Sequence, residues 1–231
     1  MKKITGPNGE ILWQAVTSPY RRLQYIESNG TVALDTGVNS ARNSFIKLTL
    51  EDMSNGGSVQ GNGRDNPGST EARFFAGFDG GKYWFGLGYA TKQAGAATSG
   101  SHVLELYGPE CQNGSGYKID GVRSAWAPSF PSSANWYSLF LFANRSNTTT
   151  GFNCQSKVRV YRAEYGYQYQ SGSTWNEGYN RKLIPVQRKS DGKLGFYDLQ
   201  EQEFLYQLVP GSSASGLTPG PVISENWDMN S

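Results

Sequence analysis

The chain has 231 residues, of which only 17% are charged, and it carries 29 Gly, 14 Tyr, 11 Phe and 6 Trp. Sparse charge with abundant glycine and aromatics argues against a helical bundle and for short strands joined by tight turns, and the length suffices for one large all-β domain with a sizeable core. The net charge of +2 argues against a nucleic-acid partner, and the longest apolar stretch, Leu139-Phe140-Leu141-Phe142-Ala143, is far too short for membrane insertion.

Residues 1–19 read as an N-terminal arm. Met1 to Glu10 is polar and contains the turn-forming Gly6-Pro7-Asn8-Gly9. Lys2 and Lys3 lead into Thr5, Gly6 and Asn8 rather than an apolar run, so no secretory signal is expected and folding in a cytoplasm is. Ile11, Leu12, Trp13 and Val16 then form an apolar patch. A tryptophan in an arm is costly to leave in water, so Trp13 is a candidate anchor, either on its own domain or on a neighbouring subunit.

From Tyr20 the strand signals begin. Thr31 to Thr36 is β-rich and stops at Gly37, and Ile46, Leu48 and Leu50 give the period-2 pattern of a half-buried strand. After a glycine-rich polar stretch, Ser54 to Thr70, a hairpin is predicted over Arg73–Phe78 and Lys82–Leu87 around Asp79-Gly80-Gly81. Further strands are predicted at His102–Tyr107, at Tyr117–Ile119 before the turn Asp120-Gly121, at Trp136–Ala143 as a fully buried central strand, and at Lys157–Arg162. Leu183–Val186, Leu194–Tyr197 and Phe204–Tyr206 complete a meander with turns at Ser190-Asp191-Gly192 and Gln200-Glu201-Gln202. Pro185 lacks an N–H for the ladder and is expected at an edge or a strand start. About ten to twelve strands with no long amphipathic helix predict two packed antiparallel sheets.

Two segments carry a resemblance. Leu23-Gln24-Tyr25-Ile26-Glu27-Ser28-Asn29-Gly30-Thr31 with Asp35-Thr36-Gly37, and Leu183 to Asp198 with the later Pro219-Gly220-Pro221, resemble the opening and closing signatures of concanavalin A-like, laminin G-like modules found in bacteriophage virion proteins. Lys118-Ile119-Asp120-Gly121, Leu139 to Arg145 and Val158-Arg159-Val160-Tyr161 fall where that pattern places them, so the resemblance spans roughly residues 20–221. Val32-Ala33-Leu34 departs from the Gln-Tyr-Ile-like run more usual there, a conservative strand change. The resemblance implies a two-sheet antiparallel jelly-roll sandwich over 20–221, with a C-terminal tail at 222–231. It also implies a non-enzymatic virion protein such as a tail fibre, receptor-binding tip or head fibre. Its expected partners are other virion proteins through the arm, host surface glycan, and further copies of itself, as a trimer of the kind frequent among fibre proteins, although no heptad or β-helical repeat occurs in the sequence. The competing readings are a carbohydrate-binding adhesion module and a glycan hydrolase.

The residues themselves give little chemistry. His102 stands alone inside a predicted strand, and no nucleophile elbow, phosphate loop or histidine-rich metal motif occurs. Glu51 and Asp52 are adjacent on a strand and so face opposite sides, which prevents them from flanking one glycosidic bond. Asp198, Glu201 and Glu203 span a turn and are expected to be solvated. Gly61 to Asn66 offers oxygen donors without the spacing of a calcium loop. No catalytic residue, metal or cofactor is therefore assigned. Cys111 and Cys154 have no metal-ligand spacing; they read as two separate thiols, or as a disulfide if their strands are neighbours. Trp84 and Trp136 are expected in the core. Trp126, in a Ser/Pro-rich loop, and Trp175, in a polar segment, are candidates for an interface or a sugar platform. Tyr165, Tyr167 and Tyr169 alternate and share one face if extended, which makes either a tyrosine contact surface or a solvent-facing strand.

Overall fold

The structure is a computed structural model that describes residues 3–5, 7–8, 11–14, 18–53, 58–62, 73–130, 138–145, 152–153, 157–225 and 227, with backbone alone at 3–5, 11–14, 58–62, 144–145 and 152–153. The early strands are β1 (Lys3–Thr5), β2 (Ile11–Gln14), β3 (Tyr20–Leu23), β4 (Ile26–Asn29), β5 (Leu34–Asn39), β6 (Ser44–Asp52) and β7 (Ser58–Asn62). They are followed by β8 (Arg73–Asp79), β9 (Lys82–Gly88), β10 (Ala90–Ala96), β11 (Ser101–Tyr107), β12 (Gly116–Ile119), β13 (Val122–Ala125), β14 (Ser138–Leu141), β15 (Asn144–Arg145) and β16 (Phe152–Asn153). The last are β17 (Lys157–Ser171), β18 (Thr174–Arg188), β19 (Leu194–Asp198), β20 (Glu203–Leu205), β21 (Leu217–Pro219) and β22 (Val222–Ser224). A single 3-10 turn, Ala214–Gly216, is the one helical element among the described residues.

The chain is an all-β sandwich. One antiparallel sheet runs β10-β9-β8-β7-β14-β5; the larger runs β13-β12-β11-β6-β17-β18-β19-β20, with β3, β4, β21 and β22 attached. Alternation supplies the core between them. Phe74, Ala76, Phe78, Phe85 and Leu87 come from the smaller sheet; Ile46, Leu48, Leu50, Leu104, Leu106, Val158, Val160 and Phe196 come from the larger. The predicted turns form where glycine allows positive φ. Gly80 and Gly81 (φ 56° and 71°) close β8 to β9 as a two-residue loop, and Asp120-Gly121 (φ 49° and 83°) closes β12 to β13.

The two segments that carry the family resemblance are hydrogen-bonded neighbours. β3 pairs with β18 at Val186↔Arg22, and β21 pairs with β4 at Pro219↔Ile26. The Gly220 N–H donates to the Tyr25 carbonyl at 3.0 Å, and the Tyr25 ring fills the space a Cβ on Gly220 would need. Past residue 221, β22 pairs with β3, and Trp227 is buried against Ile184, Val186 and Tyr197. In the arm, β1 and β2 form a ribbon of their own, with Ile4 opposite Trp13.

Several elements differ from expectation. β10 escapes sequence reading because Ala90–Ala96 is polar and mostly exposed, held at the sheet edge by backbone pairing to β9. The strand expected at Trp136–Ala143 is described only from Ser138 and ends at Leu141, because Phe142 adopts φ 66°. That left-handed turn sends Leu141 and Phe142 into the same core, which is how five consecutive apolar residues all become buried. Trp136 lies outside the described residues. Pro185 is neither at an edge nor at a strand start but mid-strand in β18, opposite Phe196. It is tolerated there because β18 changes partner around it: its pairing with β17 ends at Ala163↔Leu183 and its pairing with β3 begins at Val186↔Arg22, so on that side no described strand pairs with Pro185. The segments 157–162 and 183–186, read as separate strands, are parts of one 15-residue pair, β17 and β18.

Candidate functional site

The paired strands β17 and β18 outrun the sheet that carries them. The pairing of β17 to β6 stops at Tyr167↔Ser44, followed by one bond from the Gln168 N–H to the Asn43 carbonyl at 2.9 Å. Beyond it, among the described residues, Tyr169–Ser171 pairs only with Thr174–Asn176, around a two-residue loop with Gly172 at φ 61°. The result is a two-stranded ribbon that leaves the body of the sandwich.

The root of this ribbon is fixed on the outer face of the large sheet. Glu177 accepts hydrogen bonds from Lys47 (3.0 Å), the Tyr179 hydroxyl (2.7 Å) and Gln168 Nε2 (3.1 Å). Burial raises the Glu177 pKa, but those three donors outweigh it and leave the carboxyl below its ordinary value. Gln168 Oε1 also accepts the Gln112 N–H at 2.8 Å, and the Phe45 ring meets Tyr179 edge-on at 5.4 Å.

The candidate residues separate along the ribbon. Tyr165, Tyr167 and Tyr169 do share a face, but it is the inner one, and the smaller sheet covers only its first part. Tyr165 is therefore a core residue, 1% exposed, and is not available to a partner. Tyr167 and Tyr169 lie past that cover, 39% and 46% exposed, with ring centroids 5.9 Å apart. The Tyr167 ring lies over Gly178, where a Cβ would come within 2.4 Å of it. Trp175 is on β18 rather than in a loop, opposite Gln170 and hence on the other face of the ribbon, half-buried. Trp126 follows β13, packs edge-on against Tyr117 at 6.4 Å and joins the main core, so it supports the fold rather than standing free as a platform. Trp13 lies on β2; its side chain is outside the described residues. Trp84 is half-buried and edge-on to Phe75 at 4.8 Å.

The Tyr165 hydroxyl is buried with no hydrogen-bond partner among the described residues, and burial pushes its pKa far above the ordinary phenol value. Tyr165→Phe is accordingly expected to stabilise the protein by about 1 kcal/mol, because it removes a desolvated polar atom without opening a cavity. A rise of roughly 2–4 °C in the thermal midpoint would register it; a fall would show that the hydroxyl has a partner.

The groups considered for catalysis are tied into structural pairs. His102 Nδ1 lies 2.8 Å from Asp120 Oδ2 and 3.2 Å from the Tyr83 hydroxyl, while Nε2 lies 3.0 Å from the Thr98 carbonyl. Burial raises the Asp120 pKa, but hydrogen bonds from His102 and the Val103 N–H bring it below the usual value. Glu51 binds Arg159 (3.2 Å) and the Tyr161 hydroxyl (2.7 Å). Cys111 is a free thiol that donates to the Asn43 and Ser44 carbonyls, and burial pushes its pKa up to about 11. Cys154 and residues 63–66 lie outside the described residues. No cluster of three or more metal-ligating side chains occurs among the described residues.

Asp198 is the clear departure from the sequence reading. Expected to be solvated, it is 0% exposed. It sits on the inner face of β19, where Oδ2 accepts from Arg181 at 2.9 Å and Oδ1 accepts the Lys182 and Gln200 N–H groups, each at 2.9 Å. Arg181 also binds Glu203.

This arrangement forms one side of a cavity of about 470 Å³ at the rim of the sandwich. After β20 the chain crosses from the large sheet to the small one, where the Asp35 N–H donates to the Gln207 carbonyl and the Val209 N–H to the Ala33 carbonyl. Arg181, Glu203, Thr36, Gly37, Phe204 and Tyr206 are among the residues that line the cavity. The Arg188 guanidinium lies 4.9 Å from the centroid of the Phe204 ring, and the Lys193 ammonium 4.4 Å from that of Tyr206. Sequence reading missed this site. Phe204, Leu205 and Tyr206 read as an ordinary strand, and nothing in linear spacing links them to Arg181 or Gly37.

Arg188 is held by Asp191 through two bonds of 3.0 and 2.6 Å. That pairing, with the Lys193 N–H, lowers the Asp191 carboxyl to about 2. A carboxyl depressed on folding contributes stability above its unfolded pKa and loses that contribution as pH falls through the folded value. An NMR titration is thus expected to place the Asp191 midpoint near 2, and Arg188→Ala to return it towards 3.8. An unchanged midpoint in that variant would refute the assignment.

Comparison with family models, with curated proteins and with solved structures returned no match to this chain.

Proposed function

We propose that this protein is a non-enzymatic structural module of a bacteriophage virion. Its jelly-roll sandwich serves as a rigid body, the β17–β18 ribbon and the 1–19 arm make contacts with other virion proteins, and host-surface glycan is a further ligand. The observation that carries the reading is the ribbon itself. A polar network roots it in the large sheet, and it presents Tyr167 and Tyr169 on one face and Trp175 on the other, beyond the point where the sandwich covers it. Tyrosine and tryptophan combine large apolar area with few rotatable bonds, which makes them the usual anchors of protein interfaces.

Two further observations support it. The segments resembling concanavalin A-like phage modules are adjacent strands of one sheet, as expected of motifs that open and close a single domain. The ring nitrogens of His102 are both engaged by neighbouring side chains or backbone, which suits a structural rather than a general-base role. Mass spectrometry of gradient-purified phage particles is expected to find the chain in every preparation, and the purified protein is expected to release no reducing ends from host capsule or wall glycan. Particles that lack the chain would refute the virion role; reducing-end release would refute the non-enzymatic one.

A further inference from the structure

Among the described residues, the ribbon has one edge with no strand beside it. β17 pairs along one side of β18 from Thr174 to Leu183, while on the other side the first strand neighbour, β19, begins at Leu183. One residue fixes which way the backbone points along this edge. The Gln168 N–H donates to the Asn43 carbonyl at 2.9 Å, and the Gln168 carbonyl accepts from Asn43 Nδ2 at 3.0 Å. Both groups therefore point away from β18. In an antiparallel ladder the residue opposite then also turns its N–H and C=O outwards. That residue is Glu177. By alternation Trp175 and Tyr179 do the same.

Open strand edges invite pairing, and proteins guard them with lysine, proline, bulges or brevity. The other sheet edges here are guarded in these ways. β10 carries Lys92 and a register break between Ala94 and Ala96; β13 is four residues long and β20 three. β5 is bonded to the crossover through the Asp35 N–H and the Gln207 carbonyl. Residues 174–179 have no such device. They read Thr-Trp-Asn-Glu-Gly-Tyr, without Lys or Pro, and pair with β17 in unbroken register as far as Gly166↔Tyr179. Their single charge leans away from the edge: Glu177 reaches across β17 to Gln168 Nε2 at 3.1 Å and to Lys47 of β6 at 3.0 Å.

We propose that the free edge of β18 pairs antiparallel with the same edge of a second copy of this chain, about a two-fold axis at Glu177. In that register Trp175 stands opposite Tyr179 of the partner subunit, and every outward N–H and C=O of Trp175, Glu177 and Tyr179 finds a partner. Aromatic pairs directly across strands stabilise a sheet, whereas like charges there oppose pairing. The two Glu177 carboxylates meet this objection because each is drawn back and neutralised by its own Lys47. On the opposite face Asn176 lies across from Gly178 of the partner subunit, so no bulky pair collides. A shift of two residues would set Trp175 against Glu177 of the partner subunit and leave Tyr179 unpaired, which selects the register. Because the edge fills all its outward groups by pairing with itself, no strand from another protein is needed, and a two-fold contact closes without propagating. The inference rests on the reading of the ribbon as a contact element. It adds what occupies the ribbon's edge, and it leaves the faces of the ribbon to other virion proteins.

The test uses the intact chain. Sedimentation velocity from about 1 µM to about 1 mM is expected to show monomer–dimer exchange. On the same samples, amide hydrogen exchange at Trp175, Glu177 and Tyr179 should slow by about tenfold or more as the dimer forms. A mixture of labelled and unlabelled chains should give an intermolecular NOE between the Hα protons of Asn176 and Gly178, which approach closely only in this register. Trp175→Pro removes an outward N–H without breaking a bond to β17 and should weaken association by about a hundredfold or more. Trp175→Val keeps the N–H and the strand preference and should weaken it less. The exchange and NOE measurements are made on the unaltered chain, so they decide the matter even if the proline variant fails to fold. A monomer at every concentration would overturn the proposal, as would a dimer or trimer whose formation leaves those three amides unchanged, or a folded Trp175→Pro variant that associates normally. A monomer that still enters particles through the ribbon faces would remove the pairing and keep the virion role. A dimer formed by this edge but absent from particles would keep the pairing and remove the virion role.

Discussion

Replacing Asp198 by alanine is expected to cost the fold about 3–5 kcal/mol, the range found when one partner of a buried ion pair is removed. The carboxylate has no solvent contact and receives three donors: the Arg181 guanidinium and the backbone N–H groups of Lys182 and Gln200. Alanine would orphan both N–H groups and leave a largely buried guanidinium with the exposed Glu203 as its one remaining ion-pair partner among the described residues. The second effect distinguishes this change from a simple cavity. Asp198→Asn preserves the shape and one acceptor oxygen but points an amide NH2 at existing donors, so its loss should be intermediate. Glu203→Ala removes the other partner of Arg181, and because Glu203 is solvated it should change stability by no more than about 1 kcal/mol. Urea unfolding midpoints at constant m-value would rank the three. Equal losses for Asp198→Ala and Glu203→Ala would show that Asp198 is not the hub of this corner.

The same corner shows where sequence reading stops. Local rules were sufficient for Ile46, Leu48 and Leu50, whose alternation dictates which face meets the core, and for Gly80-Gly81 and Asp120-Gly121, whose positive φ closes the hairpins. They failed where burial depends on what lies across the sheet. Asp198 follows Tyr197 at the end of a strand and looks like a turn carboxylate; only the register that places Arg181 and Glu203 beside it makes it a core residue. Tyr165, Tyr167 and Tyr169 are equivalent by period-2 logic, yet one is buried and two are exposed, because the smaller sheet ends between them. Trp126 reads as a loop residue because Ser and Pro surround it, while the chain after β13 folds it back onto Tyr117. The rim cavity draws on β5, β18 and the crossover after β20, three segments far apart in sequence, so no motif announces it.

The ribbon supports the second large effect. A variant with Tyr167→Ser, Tyr169→Ser and Trp175→Ser is expected to lose stable incorporation into particles. Truncating anchor residues of this type costs roughly 2 kcal/mol or more each at the centre of an interface, so three together should exceed a hundredfold in affinity even with incomplete additivity. The fold should survive, because the side chains lie outside the two-sheet core and the root is held by Lys47, Gln168 and Tyr179 around Glu177. Tyr167 covers Gly178, so a modest stability loss of about 1 kcal/mol belongs to that substitution alone. The two faces of the ribbon can be separated. Tyr167→Ser with Tyr169→Ser tests one, Trp175→Ser the other, and copies per particle, measured by quantitative mass spectrometry, reports which face is seated. Tyr165→Phe is the internal control: it alters the same tyrosine series on the buried side and should leave copy number unchanged while raising the thermal midpoint. If the triple variant is incorporated like the unaltered chain, the ribbon is a solvent-facing extension and the contacts that hold the protein in a particle must come from the 1–19 arm or another surface.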